Sequence, residues 1–408
     1  MSDKTIFKPE NKKKISDFCL NVSAVVIMNC VLQFLCYPLF ERELGEELNG
    51  KVLTLLSVVS ITASALGVSL SYSRLVNEKK HHPSNGDYNV FLSAGSLICC
   101  VVGIIFLKIY DSLNAFNAVF FSLLLILTTI RTYSDVEYKL QTNFVKFFLF
   151  YLTLSIGYAA GILLFVKTKN WYIAMLTGEA SAMLFSLFTT SLYRKNLKPS
   201  PALKTALVSV GLLLPSTLIE NVALNADRII LLAFADGTSV TYYYVASLFG
   251  KVVALLTVPI NSVLISYLVK FDGGLTKKLW SVFTICALAL GALATLACIA
   301  GSYIVLPLLY DFFDLVKPIL LPALISQVAY FVSSVLMVVL LRFYGEKKQF
   351  MLNALYALVF FTTTIISVKF YGLEGFTYAS LAVNVFKLLA VTVFGLIASK
   401  TKKVIRPE

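Results

Sequence analysis

Residues 218–234 read LIENVALNADRIILLAF. They have the apolar content of a membrane span, yet they hold Glu220, Asn221, Asn225, Asp227 and Arg228. At 100° per residue these five fall within one arc of about 160°. The opposite arc holds Leu218, Val222, Ala223, Ala226, Ile229 and Ile230. A charge at mid-bilayer costs at least ~2.5–3.5 kcal/mol on insertion scales. Such a polar face therefore looks at other helices or at water.

The rest of the chain supports reading this stretch as membrane-embedded. Of 408 residues, 58% are hydrophobic and only 14% charged, and the mean hydropathy is +0.82. Soluble domains carry roughly 25% charged residues. Apolar runs of about 20 residues recur, each long enough to cross the hydrocarbon layer. They are continuous, which excludes a β-barrel's alternation. An all-α integral membrane protein with twelve transmembrane helices is expected. The spans fall near 15–38, 52–74, 89–110, 113–131, 145–166, 171–192, 205–234, 240–268, 279–306, 316–342, 349–369 and 373–398. The first run follows a polar, Lys-rich tail and is too long for a signal-peptide core, so it reads as a span.

Lys and Arg set the orientation. With the N-terminus inside, inner segments carry 25 of them and outer loops 7, leaving Arg228, Lys251 and Lys387 within spans. Both termini are thus expected in the cytoplasm. The net charge of +13 follows mostly from this bias and does not point to nucleic acid. Trp171, Tyr172, Tyr242, Tyr243, Tyr244 and Trp280 stand at span edges and read as interfacial anchors. The seven cysteines lie in apolar runs without metal-ligand spacing, and read as small buried hydrophobes.

The segment 193–204, with its basic YRKNLKPSP, divides the chain into halves of six spans. The expected organisation is a cytoplasmic N-tail (1–14), an N-lobe (15–192), an inter-lobe linker (193–204), a C-lobe (205–398) and a cytoplasmic C-tail (399–408). Each half begins and ends on the same side, so a repeat would be parallel. Gly45 and Gly237 each follow the first span of a half. Sixteen residues before them stand Asn29 and Asn221, with Gln33 and Asn225 one turn on. Each half's first helix thus carries an i, i+4 amide pair.

Two readings of the polar face are open. One is a structural ion pair involving Asp227 and Arg228. The other is a water-filled cavity, which needs further charge at similar depth. Lys251 and Lys387 lie near the middles of spans eight and twelve, with Asn384 one turn from Lys387, and Glu179 lies in span six. Cations in a solvated cavity suit an anionic head group such as phosphate or pyrophosphate. Glu220, Asp227 and Glu179 are candidates for H+ or Na+ coupling or for ion pairs. Pro215 and Pro259, inside spans seven and eight, are candidate gating kinks.

Three segments carry a family resemblance. YPLFERELGEELNGKVLTLLSVVSITASALGVSLSYSRL (37–75) resembles the first-to-second span region of bacterial polysaccharide flippases. LLPSTLIENVALNADRIILLAFADGTSVTYYYVASLFGKVVALLTVPINSVLISYL (213–268) resembles their seventh and eighth spans, and GLEGFTYASLAVNVFKLLAVTVFG (372–395) their last. The chain resembles the O-antigen and exopolysaccharide flippases of the multidrug/oligosaccharidyl-lipid/polysaccharide (MOP) superfamily. The resemblance implies two six-helix lobes in a MATE-like V, alternating access and a bacterial inner-membrane location. It implies an undecaprenyl-pyrophosphate-linked oligosaccharide as cargo, without a cofactor. A polysaccharide polymerase and a chain-length regulator are the implied partners. Arg228, Lys251 and Lys387 match the cationic cavity residues of that family by type. The chain departs from it in having no cation inside spans one to six except at their ends, such as Arg74 and Arg131.

No P-loop, G-x-S-x-G or metal spacing is found, so a transporter rather than an enzyme is expected. A cation-coupled drug or metabolite exporter of the same fold is the first alternative. A membrane glycan polymerase using the acidic loop ERELGEELNGK is the second, although that loop reads as solvated.

Overall fold

Inside hydrocarbon every backbone N–H and C=O must be satisfied by the chain itself, which favours the helix. In the computed structural model all regular structure among the described residues is helical. These are residues 9–399 apart from 256, 258, 259, 262, 263, 265–267, 269–272 and 345.

The chain opens with α1 (Pro9–Val31), a π-helical turn (Leu32–Cys36) and α2 (Tyr37–Leu44). Gly45, at φ +81°, turns it into α3 (Glu46–Val59), a second π turn (Ser60–Ser64) and α4 (Ala65–His81). There follow α5 (Asn85–Ile109), α6 (Ala115–Ser134), the short α7 (Val136–Leu140), α8 (Phe144–Thr168) and α9 (Trp171–Thr189). Side chains of Asn114, Asn143 and Asn170 cap α6, α8 and α9. Then come α10 (Leu203–Phe234), α11 (Gly237–Leu255), α12 (Lys277–Leu309), α13 (Phe313–Tyr344) and α14 (Glu346–Ala398). Gly372, at φ +56°, breaks α14 into two helices.

Ten of the described helices are long and apolar enough to cross a membrane. The last of them, Met351–Ile397, contains the expected spans eleven and twelve, parted at Gly372. The expected span eight begins as α11 and runs into residues only partly described. The exterior is apolar: Leu308, Phe188 and Phe370 are 81%, 78% and 77% exposed. That surface is suited to lipid.

The chain forms two compact units, Met1–Ile229 and Ile230–Glu408. The division falls inside α10, so most of that helix belongs with the first unit. In unit one, α8 packs along α9 and α1 along α8, while α6 touches α4, α5 and α9. In unit two, α13 is central, against α11, α12 and α14.

Some local expectations change. Trp171, Tyr172, Tyr243, Tyr244 and Trp280 are buried among protein side chains. The Trp280 indole N–H donates to Thr392 O at 3.1 Å. Helix-to-helix packing claimed these rings because each is large enough to fill a gap and Trp280 finds an acceptor there. Cys19, Cys30 and Cys286 lie on the surface, whereas Cys36, Cys99, Cys100 and Cys298 are buried as expected. A lipid-facing surface suits a thiol as well as a core does. Gly237 starts α11 beneath an Asp236 cap, without the left-handed turn of Gly45.

The segment 190–202 is fastened to unit one. Asp87 takes hydrogen bonds from Ser200 N and Ser200 Oγ, both at 2.6 Å, and from Ser84 N at 2.8 Å. Asn85 Nδ2 donates to Lys195 O at 2.7 Å, and Gly86 N to Asn196 O at 2.9 Å. Glu137 accepts from Ser191 N at 2.8 Å. Gly86 has to be glycine, since a Cβ there would sit 2.3 Å from Leu197 O. Asp87→Ala removes three accepted hydrogen bonds, each contributing about 1 kcal/mol. Trypsin should then cut after Arg194 and Lys195 about a hundredfold faster in the detergent-solubilised protein, and unchanged cleavage would contradict the pinning.

Candidate functional site

The polar face of α10 divides in two. One side forms a hydrogen-bonded seam with the second span. The Thr217 and Ser69 hydroxyls share a bond of 2.5 Å, and Thr217 Oγ1 lies 3.2 Å from Ala65 O. One turn on, Asn221 Oδ1 accepts from Ser60 Oγ at 3.1 Å while its Nδ2 donates to Thr217 O at 2.8 Å. Asn225 Nδ2 donates to Asn221 O at 2.9 Å and reaches Ser60 Oγ at 3.4 Å. Arg228 Nη1 donates to Ser57 Oγ at 3.2 Å and, at 3.4 Å, to Leu53 O. Thr54 Oγ1 donates to Arg228 O at 3.3 Å. The residues 217, 221, 225 and 228 are spaced at helical turns, so one stripe meets another.

Sequence reasoning did not single out the receiving stripe of Thr54, Ser57, Ser60 and Ser69. Its near-helical spacing in an apolar span was the available signal. Ser60 opens the π turn Ser60–Ser64, whose widened backbone brings it to both asparagines. Such turns recur at functional sites.

The other side of α10 is different. Asp227 is buried, but Glu220 is exposed and bonds to no described residue. Pro215 is also exposed and the helix runs through it. Pro259 lies outside the described residues. In the first span, Asn29 Nδ2 donates to its own helix, at Val25 O, 2.9 Å away. Gln33 stands in the π turn Leu32–Cys36, its Oε1 buried with no partner among the described residues. The two amide pairs therefore bond differently: Asn221 and Asn225 hold a neighbouring helix, whereas Asn29 turns back on its own.

Glu179 belongs to a second cluster. Arg131 Nε donates to its Oε2 at 2.6 Å, and Tyr158 Oη donates to Oε1 at 2.9 Å. Arg131 and Glu179 are 8% and 3% exposed. Gly178 makes room for the Tyr158 ring, because a Cβ there would lie 2.0 Å from ring carbon Cδ1. Nearby elements add Asp135, which accepts from Lys139 Nζ at 2.8 Å and Tyr151 Oη at 3.2 Å. Arg74 is also buried, with Nη1 on Tyr133 Oη at 2.8 Å and the guanidinium 5.7 Å from the Tyr88 ring. These arginines, expected as span-end residues, instead turn inward to partners. Arg131 and Glu179 are 48 residues apart, so no local pattern announces the pair.

Unit two holds Lys387 between two aromatic rings. Its Nζ lies 4.0 Å from the Tyr330 centroid and 4.2 Å from that of Tyr356. The side chain is 7% exposed, and within unit two no described carboxylate bonds to it. Asn384, one turn earlier, ties the cage to its neighbours. Tyr356 Oη donates to Asn384 Oδ1 at 2.8 Å, and Asn384 Nδ2 donates to Ser326 Oγ at 2.8 Å. Ser326 continues to Ser380 at 2.9 Å, and Ser380 to Tyr243 Oη at 3.5 Å. Lys251 is half-buried on α11 and lies 5.9 Å from the Tyr244 ring. It stands on a different ring from Lys387. Tyr330 and Tyr356 were not expected, since a tyrosine in a span reads as core until a cation is placed on its face.

Several solved membrane proteins share this architecture. The lipid II flippase MurJ, in an inward closed conformation, aligns with TM-score 0.71 and 15% identity over 94% of this chain and 88% of that one. The Vibrio cholerae MATE transporter VcmN in its bent form aligns with TM-score 0.62 and 12% identity over 95% and 97%. An inward-facing multidrug resistance MATE transporter of the MOP superfamily aligns with TM-score 0.62 and 13% identity over 94% and 100%. At these identities the likeness concerns the fold. No protein-family model and no curated protein matches the sequence.

Breaking the Arg131–Glu179 pair from one side strands a buried charge. Arg131→Met or Glu179→Leu alone should cost about 3–5 kcal/mol, and the double variant should recover most of it. Thermal unfolding of the purified chain checks this. Additive losses in the double variant would show that the two do not act as a pair.

Proposed function

We propose that this chain is a flippase for a lipid-linked oligosaccharide. It would carry an undecaprenyl-pyrophosphate-linked repeat unit of O-antigen or related surface polysaccharide from the cytoplasmic to the periplasmic leaflet. The proposal places it in the bacterial inner membrane with both termini cytoplasmic, as the Lys and Arg distribution favours. Lobes 15–192 and 205–398 would alternate access about the cargo, joined by 193–204. A polysaccharide polymerase and a chain-length regulator would receive the product.

The observation that carries this reading is Lys387. An ammonium buried inside a span between Tyr330 and Tyr356, without a described carboxylate from its own unit, is held ready for a negative charge that arrives with the cargo. Cation–π attraction to the two rings offsets part of the cost of its burial, by about 2 kcal/mol when desolvated. Pyrophosphate is such a cargo charge, and the fold shared with a lipid II flippase supports the assignment. Lys251 and Arg228 are proposed as further cationic contacts for the cargo. The hydroxyl and amide chain from Asn384 to Ser380 is suited to sugar hydroxyls.

One observation favours a second reading, a cation-coupled exporter. Glu220 is exposed within a span, and a carboxylate there faces water rather than hydrocarbon. In the flippase reading the same group, with Asp227, would serve H+ or Na+ coupling. An enzyme that builds glycan is less well supported. Within the acidic loop, Glu43 is taken up by an ion pair with Lys169.

The decisive experiment uses a strain lacking this gene and a membrane-impermeant sugar-modifying probe. A flippase leaves complete repeat units at the cytoplasmic face, with surface polysaccharide lost. Repeat units reaching the periplasmic face unpolymerised would refute the reading, and unchanged glycan would favour the exporter. Complementation then tests the site. Lys387→Met should lower export at least about tenfold, the usual penalty for removing a charged partner from a buried binding site. Tyr330→Phe, which keeps the aromatic face, should retain most of it.

A further inference from the structure

Unit one has an open cavity of about 410 Å³ where the start of α10 passes the end of α4. Its lining is Asn77, Lys204, Thr205, Val208, Ser209 and Leu212. The composition is graded along α10. Lys204 and Thr205 stand at the helix start, beside the pinned segment 190–202. Val208 and Leu212, 56% and 75% exposed, continue toward the middle of the span. Lys204 to Leu212 covers about 12 Å at 1.5 Å per residue. The cavity thus offers a cation and hydroxyls at the membrane–water boundary and an apolar wall below them.

The charge at this end is fixed in place. Lys195, Lys198 and Lys204 are exposed, and among the described residues none pairs with a carboxylate. The acid in the fastening, Asp87, is fully buried and engaged by Ser200 and Ser84. Asn77 on the opposite wall is anchored by Nδ2 to Ser73 O at 2.8 Å, leaving its polar head held at the cavity. The strap therefore presents a cationic rim that no described protein anion neutralises, on backbone that Asn85 and Gly86 hold rigid.

We infer that this cavity is a binding site for an anionic phospholipid of the bulk membrane. Its phosphate meets Lys204 and the hydroxyls of Thr205 and Ser209, and one acyl chain lies along Val208 and Leu212. Basic pockets between spans on the cytoplasmic side take such head groups. The site rests on the proposed topology for its side of the membrane, but not on which cargo the chain carries. A lipid here would brace α10 against α4, one turn below the seam that begins at Thr217 and Ser69.

Native mass spectrometry of the full-length protein tests this, with phosphatidylglycerol or phosphatidylcholine titrated into detergent. Lys204→Gln should weaken phosphatidylglycerol binding about fivefold, the effect of one surface cation, and leave phosphatidylcholine unchanged. Ser209→Trp, which fills the cavity but keeps the charge, should weaken it similarly. The exposed Lys277→Gln on unit two is the control and should have no effect. Equal losses in Lys204→Gln and Lys277→Gln, or none in either, would overturn the site. Retention of undecaprenyl phosphate in preference to phosphatidylglycerol would overturn the choice of occupant and assign the cavity to the carrier lipid instead.

Discussion

A polar group inside a bilayer has no water to fall back on, so each one must be met by another part of the chain or face an internal aqueous space. The α10 seam is the clearest consequence. Thr217, Asn221, Asn225 and Arg228 meet Ser69, Ser60, Ser57 and the carbonyl of Leu53 in turn order. Close apolar packing gives helices in lipid little preference for one neighbour over another, while a matched ladder of hydrogen bonds fixes both partner and register. The register set here also fixes which side of α10 remains open, and Glu220 is on that side.

Charge is handled in two contrasting ways. In unit one, Arg131 and Glu179 neutralise each other, with Tyr158 completing the carboxylate. That arrangement is closed: neither charge has reason to seek another. In unit two, Lys387 rests on the faces of Tyr330 and Tyr356. A ring quadrupole softens the cost of burial without cancelling the charge. The first solution holds helices together, and the second keeps a cation available. The difference in chemistry is the reason that the proposed cargo contact is Lys387 and not Glu179.

The segment 190–202, before α10, handles its polar groups in the same way. Its basic, proline-punctuated sequence reads as an inter-lobe linker, and Asp87, Asn85 and Glu137 gather its backbone and hydroxyls. Pinned in this way, it delivers α10 at a defined position and offers its lysines as a fixed rim.

Hydropathy alone determined that the chain is a bundle of membrane-crossing helices, because long apolar runs have no other stable arrangement in lipid. Helical spacing also placed the polar arc of α10, and charge bias pointed to an orientation. Which polar group meets which did not follow, because partners such as Ser60 and Asn225, Arg131 and Glu179, or Lys387 and Tyr330 are far apart in sequence. Glu179 and Lys387 look alike as lone charges in spans, and only packing made one an ion pair and the other a caged cation. Trp280, an apparent surface anchor, became core for the same reason. Periodicity reports the face a residue occupies on its own helix, whereas the tertiary structure decides what stands opposite that face.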